Sequence, residues 1–286
     1  MTGVIKYILL IVFQPHFIQL IYYLFMNRIE FIGSSCVGKS TLFAEVLHMR
    51  NKDDLWSYPL EAQLNIIKQM QRGRFSFSRK GLIVLGLLKS QHAKWAKEIL
   101  DNHKEQALMQ YADAYDGLIK LYMEHILNDK EVSSIRKLQL LNLYYNRVVF
   151  DLIILAYFSP GTLSVYDDGV MAINSGILDV KEFKSIALGS QAIKEVVMPT
   201  AIVYCKLSLE ATFERMKKRI NEGKGNYAIR RMTDLEISET CKKGLQAADG
   251  IFKVLNALRV PSIEVNMEED ISINAHKVSE YIRTFC

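Results

Sequence analysis

The sequence is poor in the residue types that build disulfide frameworks and zinc sites. It contains only four cysteines in 286 residues, and they are far apart: Cys36, Cys205, Cys241 and Cys286. No two of them form a C-x-x-C pair, and the six histidines show no metal-ligand spacing. These absences argue against a disulfide-stabilised or zinc-binding protein, and they predict a reducing, cytoplasmic location.

Helix-breaking residues and excess charge of one sign are scarce as well. Glycine and proline together number 15 + 5 = 20, and half of all residues are hydrophobic. This composition excludes a collagen-like or mostly disordered chain. Lysine and arginine exceed aspartate and glutamate by 36 − 31 = 5. So mild an excess suits small phosphorylated ligands, and no nucleic-acid partner is expected.

The first 25 residues are unusually apolar. An apolar run over 7–13 is interrupted by Gln14, Pro15 and His16, and a second run covers 17–25. The central proline and polar side chains argue against a simple membrane span, and no small-residue cleavage site indicates a signal peptide. Two interpretations remain for residues 1–25: a non-core extension ahead of a start at Met26, or a membrane-associating helix.

Beyond Met26, predicted strands alternate with predicted helices. The strands cover 29–32, 162–166, 200–207 and 262–265, and the helices cover 40–49, 209–220, 235–258 and 271–282. Ser208 is the expected N-cap of the helix over 209–220. This alternation predicts one α/β domain over 26–286, a three-layer fold with a parallel sheet covered by helices on both faces. Residues 60–158 lack a strand pattern and show apolar residues at three- and four-residue steps, which predicts a large helical insertion.

One motif points to a specific chemistry. Residues 33–40 match G-x-x-x-x-G-K-[ST] at every fixed position, and they lie between a predicted strand and a predicted helix. In such a loop the backbone N–H groups bind a phosphate chain, Lys39 reaches the β- and γ-phosphates, and the Ser40 hydroxyl binds Mg²⁺. The predicted nucleotide-binding residues are Gly33, Ser34, Ser35, Cys36, Val37, Gly38, Lys39, Ser40 and Thr41.

With this motif the chain resembles the P-loop nucleoside triphosphate hydrolase superfamily, and within it the nucleoside and nucleotide kinases. The resemblance implies a P-loop fold that binds ATP and Mg²⁺. It also implies an acidic residue at the end of a second strand, and the segment 163–169, which ends in Asp167, Asp168 and Gly169, is similar to that element. Asp167 is accordingly expected to bind Mg²⁺ and Asp168 to orient the acceptor hydroxyl or a water molecule. The alternative is a solvated turn, and the division of roles between the two carboxylates stays open.

The resemblance further implies a lid over 221–233 whose arginines close on the transferred phosphoryl group. Arg219, with Arg230 or Arg231, is expected to complete this charge clamp, and Arg215 lies one helical turn before Arg219 on the same face. An ordinary solvated basic face is the alternative for each arginine.

The expected activity is transfer of the ATP γ-phosphoryl group to a small-molecule acceptor. The helical insertion would shape the acceptor pocket, and its basic-aromatic residues, at 72–80, could hold an anionic acceptor or form an exposed loop. The alternative function is a regulatory or coupling ATPase that acts with a protein or membrane partner, for which residues 1–25 are the main support.

Overall fold

The computed structural model of the chain describes residues 27–51, 53–70, 79–86, 88–130, 132–158, 162–171, 198–224 and 229–286. The apolar segment 1–25 lies outside the described residues. So do residues 225–228 of the predicted lid and residues 72–78 of the basic-aromatic group. Within the described ranges, no helix combines the length and the hydropathy that a membrane crossing requires.

In the described ranges, five parallel strands form one sheet in the order β2-β3-β1-β4-β5. Their bounds are β1 Arg28–Ile32, β2 Trp56–Ser57, β3 Leu163–Tyr166, β4 Ala201–Lys206 and β5 Ser262–Asn266. The four strands that the sequence predicts are confirmed. β2 was not predicted, because two residues are too few to show a strand pattern.

Helices cover both faces of this sheet. Their bounds are α1 Lys39–His48, α2 Pro59–Met70, α3 Arg79–Val84, α4 His92–Asp101, α5 Lys104–Asn128, α6 Ser134–Tyr145, α7 Ile154–Phe158, α8 Leu209–Asn221, α9 Asp234–Ala257 and α10 Ile271–Arg283, with a π-helical stretch at Asn146–Ile153 and 3₁₀ turns at Lys89–Gln91 and Ile229–Arg231. The described part of 60–158 contains helices and connecting turns but no strand. The predicted α/β class with a parallel sheet is therefore confirmed.

The side chains of β1 alternate between two cores. Phe31 points to the core formed with α1 and α10, where its ring contacts Phe43 edge-on at a centroid distance of 5.5 Å. Ile32 points to the opposite core, formed with the helical insertion and α9. In that second core Tyr204 of β4 stacks on Phe252 of α9 at 4.3 Å. A strand buried on both faces is what a three-layer α/β fold requires.

Two charged residues interrupt the apolar character of β1. Arg28 is 2% exposed and Glu30 is fully buried, and the Arg28 Nε donates to Glu30 Oε1 at 2.5 Å. The spacing of two places both side chains on the same face of the strand. The sequence pattern did not reveal this pair, because a polar residue in a short strand is ordinarily assigned to a solvent-facing position.

The helices α8 and α9 begin with the caps that their sequences favour. Ser208 Oγ accepts a hydrogen bond from the Ala211 amide at 3.3 Å, which confirms the predicted cap of α8. Thr233 and Glu236 form a reciprocal capping box at the start of α9. These caps fix the entry points of the two helices that flank the predicted lid.

Removing the cap of α8 should destabilise the fold without affecting its chemistry directly. We expect Ser208→Ala to lower the free energy of unfolding by about 1 kcal/mol, because one amide at the helix start loses its acceptor. Urea denaturation followed by circular dichroism measures this loss. The matched control is Ser272→Ala, an exposed serine in the first turn of α10, whose cap is supplied by Asp270. Equal stabilities of the two variants would contradict the capping role of Ser208.

Candidate active site

The loop between β1 and α1 requires glycine at two positions. Gly33 has φ 149°, and a Cβ built there would lie 2.7 Å from the carbonyl oxygen of Cys205 on β4. Gly38 has φ 104° and forms the cap residue of α1. Both conformations are ones that L-residues with side chains rarely adopt. The two fixed glycines of the motif therefore allow the chain to pass tightly over β4 and to turn into the helix.

The start of α1 is suited to binding an anion. Among the described residues no side chain caps this helix, since its cap is the backbone of Gly38. The amides of its first turn, which include Lys39 and Ser40, have no acceptor within the helix ladder, and the helix dipole adds partial positive charge there. Val37 is fully buried in the core and anchors the loop from below. The start of α1 therefore offers backbone N–H donors to an anion.

Lys39 extends back across the loop. Its Nζ donates to the carbonyl oxygens of Gly33 at 2.8 Å and Ser34 at 3.1 Å. Burial lowers the pKa of Lys39 below its usual value, and the carboxylates of Asp168 and Asp167 act in the opposite direction. Burial also raises the pKa of the neighbouring Cys205 thiol to about 12. The thiol is therefore neutral at neutral pH, and the two carboxylates are the anions that favour a charged Lys39.

The acidic pair follows β3 directly. β3 ends at Tyr166, and Tyr166 is in register with Glu30 on the neighbouring β1. Parallel pairing therefore brings Asp167 and Asp168 to the same sheet edge as the loop after β1. Asp167 is half-buried and Asp168 is exposed.

The predicted arginines divide into two groups. Arg219 lies at the loop, with its Nη1 3.9 Å from Cys36 Sγ and its Nε donating to the Lys224 carbonyl at 3.4 Å. Arg230 and Arg231 are exposed, lie in the 3₁₀ turn Ile229–Arg231, and do not line the cavity beside the loop. The guanidinium of Arg230 donates to the Gly223 carbonyl.

Arg215 makes the more extensive contact with the loop. Its Nη1 donates to the Val37 carbonyl at 2.6 Å and its Nη2 donates to the Met267 carbonyl at 2.8 Å. The guanidinium thus joins the loop between β1 and α1 to the segment that follows β5. The i,i+4 spacing placed Arg215 on the face of Arg219, but only the fold shows that its partners are two backbone carbonyls.

These elements enclose one cavity of about 690 Å³, within the range typical of small-molecule sites. It is lined by Ser34, Ser35, Cys36, Gly38, Lys39, Ser40, Thr41, Asp167, Asp168, Arg215, Arg219, Met267, Glu269 and Ile271. Its cationic side chains come from α1 and α8, and its acidic side chains follow β3 and β5. The cavity therefore offers a cationic part for phosphate and an acidic part for a metal ion or a hydroxyl group.

The donor set at the acidic part fits Mg²⁺. Ser40, Asp167 and Asp168 supply hydroxyl and carboxylate oxygens, the ligands that Mg²⁺ prefers together with water and phosphate oxygens. In the described part of the chain, no group of three or more His, Cys, Asp or Glu side chains is arranged to hold a metal ion. A Mg²⁺ ion here would therefore depend on the bound phosphates for part of its coordination.

The segment after β5 also contributes to the cavity, and the sequence pattern did not predict this contribution. Met267, Glu269 and Ile271 all line the cavity. They follow a strand of the same parallel sheet, so they lie at the same carboxyl edge as Asp167 and Asp168. Their residue types carry no motif, and only their position at the carboxyl edge could have indicated them.

No family model matches the chain, and no curated protein sequence matches it. Matches among solved structures include deoxyadenosine kinase from M. mycoides with bound dCTP, at 12% sequence identity and a TM-score of 0.38, covering 90% of this chain and 99% of that chain. Overlap at this level carries no argument about activity. The P-loop fold is defined by the parallel sheet and by the loop between β1 and α1.

Loss of the Arg215 contacts should loosen the loop before any ligand is added. We expect Arg215→Ala to speed amide hydrogen exchange at residues 36–39 and 267–270, because the bridge between the two segments is lost. Since Arg215 is exposed, the free energy of unfolding should fall by only about 1 kcal/mol. Lys218→Ala, which removes an exposed cation from the same helix, is the control. Exchange that matches the control at both segments would show that Arg215 does not hold them together.

Proposed function

We propose that the protein is an ATP- and Mg²⁺-dependent phosphotransferase that transfers the γ-phosphoryl group to a small-molecule acceptor. One observation carries this proposal: the G-x-x-x-x-G-K-[ST] loop between β1 and α1 lines the same cavity as a pair of carboxylates. The loop contributes Lys39 and Ser40, and the carboxylates are Asp167 and Asp168. Phosphoryl transfer needs these two parts together, one to hold the phosphates and one to position the attacking oxygen.

In this proposal the loop, the metal-binding groups and Asp168 have separate roles in phosphoryl transfer. The amides between Gly33 and Thr41 bind the phosphate chain, and Lys39 neutralises charge at the β- and γ-phosphates. Ser40 and Asp167 hold Mg²⁺, which when bound neutralises charge on the phosphate oxygens. Asp168, the exposed member of the pair, accepts the proton of the acceptor hydroxyl and orients its oxygen.

Arg219 supplies a further positive charge at the cavity. Its guanidinium lies beside Cys36 of the loop, where it can neutralise charge that grows on the phosphoryl group during transfer. Arg230 and Arg231 join it in our proposal by closure of the lid over 221–233. Both lie outside the cavity lining, so their participation depends on that closure.

The helical insertion supports an acceptor site beside Asp168. Helix α2 starts at Pro59, directly after β2, and β2 is the strand next to β3. α2 therefore begins at the same sheet edge as the acidic pair. Of the basic-aromatic group, Arg79 is exposed and pairs with Glu98, which favours a solvated position for that residue.

The proposal requires Lys39 for function and not for folding. We expect Lys39→Ala to retain its thermal stability, to bind Mg²⁺-ATP at least about tenfold more weakly, and to lose turnover, because the point charge at the terminal phosphates is gone. Isothermal titration measures the binding, and ADP formation in the presence of the metabolite mixture measures the turnover. The matched control is Lys206→Ala, an exposed lysine at the end of β4 that pairs with Glu264 at 3.2 Å. Normal binding and turnover in a folded Lys39→Ala variant would overturn the proposal.

The two carboxylates should be separable by substitution. We expect Asp167→Asn to raise the Mg²⁺ concentration needed for half-maximal rate. Asp168→Asn should lower the rate by about 10²- to 10⁴-fold with nucleotide affinity kept, as loss of a general base does. Rate measurements across a Mg²⁺ titration, in metabolite mixtures with labelled ATP, distinguish the two patterns and identify the acceptor.

Two results would redirect this interpretation. If neither Asn variant changes the rate or its metal dependence, the pair is a solvated turn. If hydrolysis without an acceptor is as fast as turnover with the metabolite mixture, and liposomes or a protein partner stimulate it, the coupling ATPase replaces the kinase.

A further inference from the structure

The buried pair on β1 reaches beyond the strand to the acidic turn. Glu30 Oε1 accepts from Arg28 Nε at 2.5 Å, and Glu30 Oε2 accepts from the backbone amide of Met171 at 2.6 Å. Met171 lies four residues after Asp167. One fully buried carboxylate therefore connects β1 with the chain that leaves the acidic pair.

Gly169 packs directly on this carboxylate. A Cβ built on Gly169 would overlap the Glu30 side chain, whose carboxyl and Cγ atoms are its three nearest neighbours. Gly169 is not among the glycines with positive φ, so conformational freedom does not explain the residue. Glycine is needed here because the turn and the carboxylate are in van der Waals contact.

We propose that Arg28 and Glu30 are positioning residues that fix the Asp167–Asp168 turn against the sheet edge. Glu30 holds the turn by accepting a hydrogen bond from the Met171 amide and by packing against Gly169. Arg28 in turn holds the Glu30 carboxylate through its Nε hydrogen bond. Neither residue lines the cavity, so both act through the aspartates. This inference rests on the proposed role of the acidic pair in binding Mg²⁺.

The chemistry of the pair supports a geometric role over a stabilising one. Replacing a buried ion pair by apolar side chains is often neutral or favourable for stability, because both charges must be desolvated. An apolar pair would accept no hydrogen bond from Met171 and would set no fixed distance to Gly169. A carboxylate that is held by an arginine provides both.

The first test uses Glu30→Gln, which preserves the volume of the side chain. The amide can still accept one bond, but it loses the charge that holds Arg28. We expect faster hydrogen exchange at the Met171 amide and Mn²⁺ affinity reduced by about 10- to 100-fold in the presence of a non-hydrolysable ATP analogue, as for other residues that orient metal ligands. Electron paramagnetic resonance of Mn²⁺ measures this affinity without turnover. Glu264→Gln, which removes an exposed strand carboxylate paired with Lys206, is the control.

The second test uses the close packing at Gly169. Gly169→Ala should displace the turn and weaken Mn²⁺ binding, since its methyl group competes with the Glu30 carboxylate for space. Adding Glu30→Asp withdraws the carboxylate by one methylene group, so the double variant should recover Mn²⁺ affinity relative to Gly169→Ala. A role limited to fold stability predicts no such recovery of metal affinity. This test also decides the matter if Glu30→Gln does not fold.

The outcomes separate the inference from the proposed function. If the unaltered protein binds no Mg²⁺-ATP, the proposed function fails. If it binds Mg²⁺-ATP, and the folded Glu30→Gln and Gly169→Ala variants match it in Met171 exchange and Mn²⁺ affinity, only the positioning role is overturned. Weaker Mn²⁺ binding in the single variants, with recovery in the double variant, supports it.

Discussion

The candidate site depends on one constraint, the central place of β1 in a parallel sheet. β1 pairs with β3 on one side and with β4 on the other. Because all strands run in the same direction, the loop that follows β1 meets the turn after β3 and the end of β4 at a single edge. The loop lies so close to β4 that Gly33 could not carry a Cβ beside the Cys205 carbonyl. Charge and shape at the cavity both follow from this convergence.

Local sequence predicted those features that local physics determines. The loop between a strand and a helix at Gly33 to Gly38 and the cap at Ser208 depend on spacing and residue type, and both are present as predicted. β2 could not be predicted, because its two residues become a strand only through pairing with β3. The sequence also did not predict that Met267 and Glu269 line the cavity, because they do so through the topology of the sheet and not through their residue types.

The arginines show the limit of a helix-face argument. An i,i+4 spacing places Arg215 and Arg219 on one face of α8, but it does not give their distances from another segment. The fold gives Arg215 two backbone carbonyls, and it places Arg219 beside Cys36. Arg215 therefore connects two segments of the protein, whereas the guanidinium of Arg219 lies at the cavity beside the loop. The same pattern thus contains one structural bridge and one candidate for contact with the phosphates.

The charged residues within β1, Arg28 and Glu30, are explained by the turn beside them, which carries Asp167 and Asp168. A carboxylate pair at the end of β3 repels itself and would favour separation into solvent, so its position must be set by the backbone that carries it. Short contacts with a neighbouring strand can set that position, but an apolar side chain offers no directional bond to an amide. Glu30 offers such a bond, and its burial in turn requires the guanidinium of Arg28. The buried polar pair on β1 and the glycine at position 169 thus belong to one arrangement. In it, the strand that precedes the loop between β1 and α1 also determines the position of the two carboxylates.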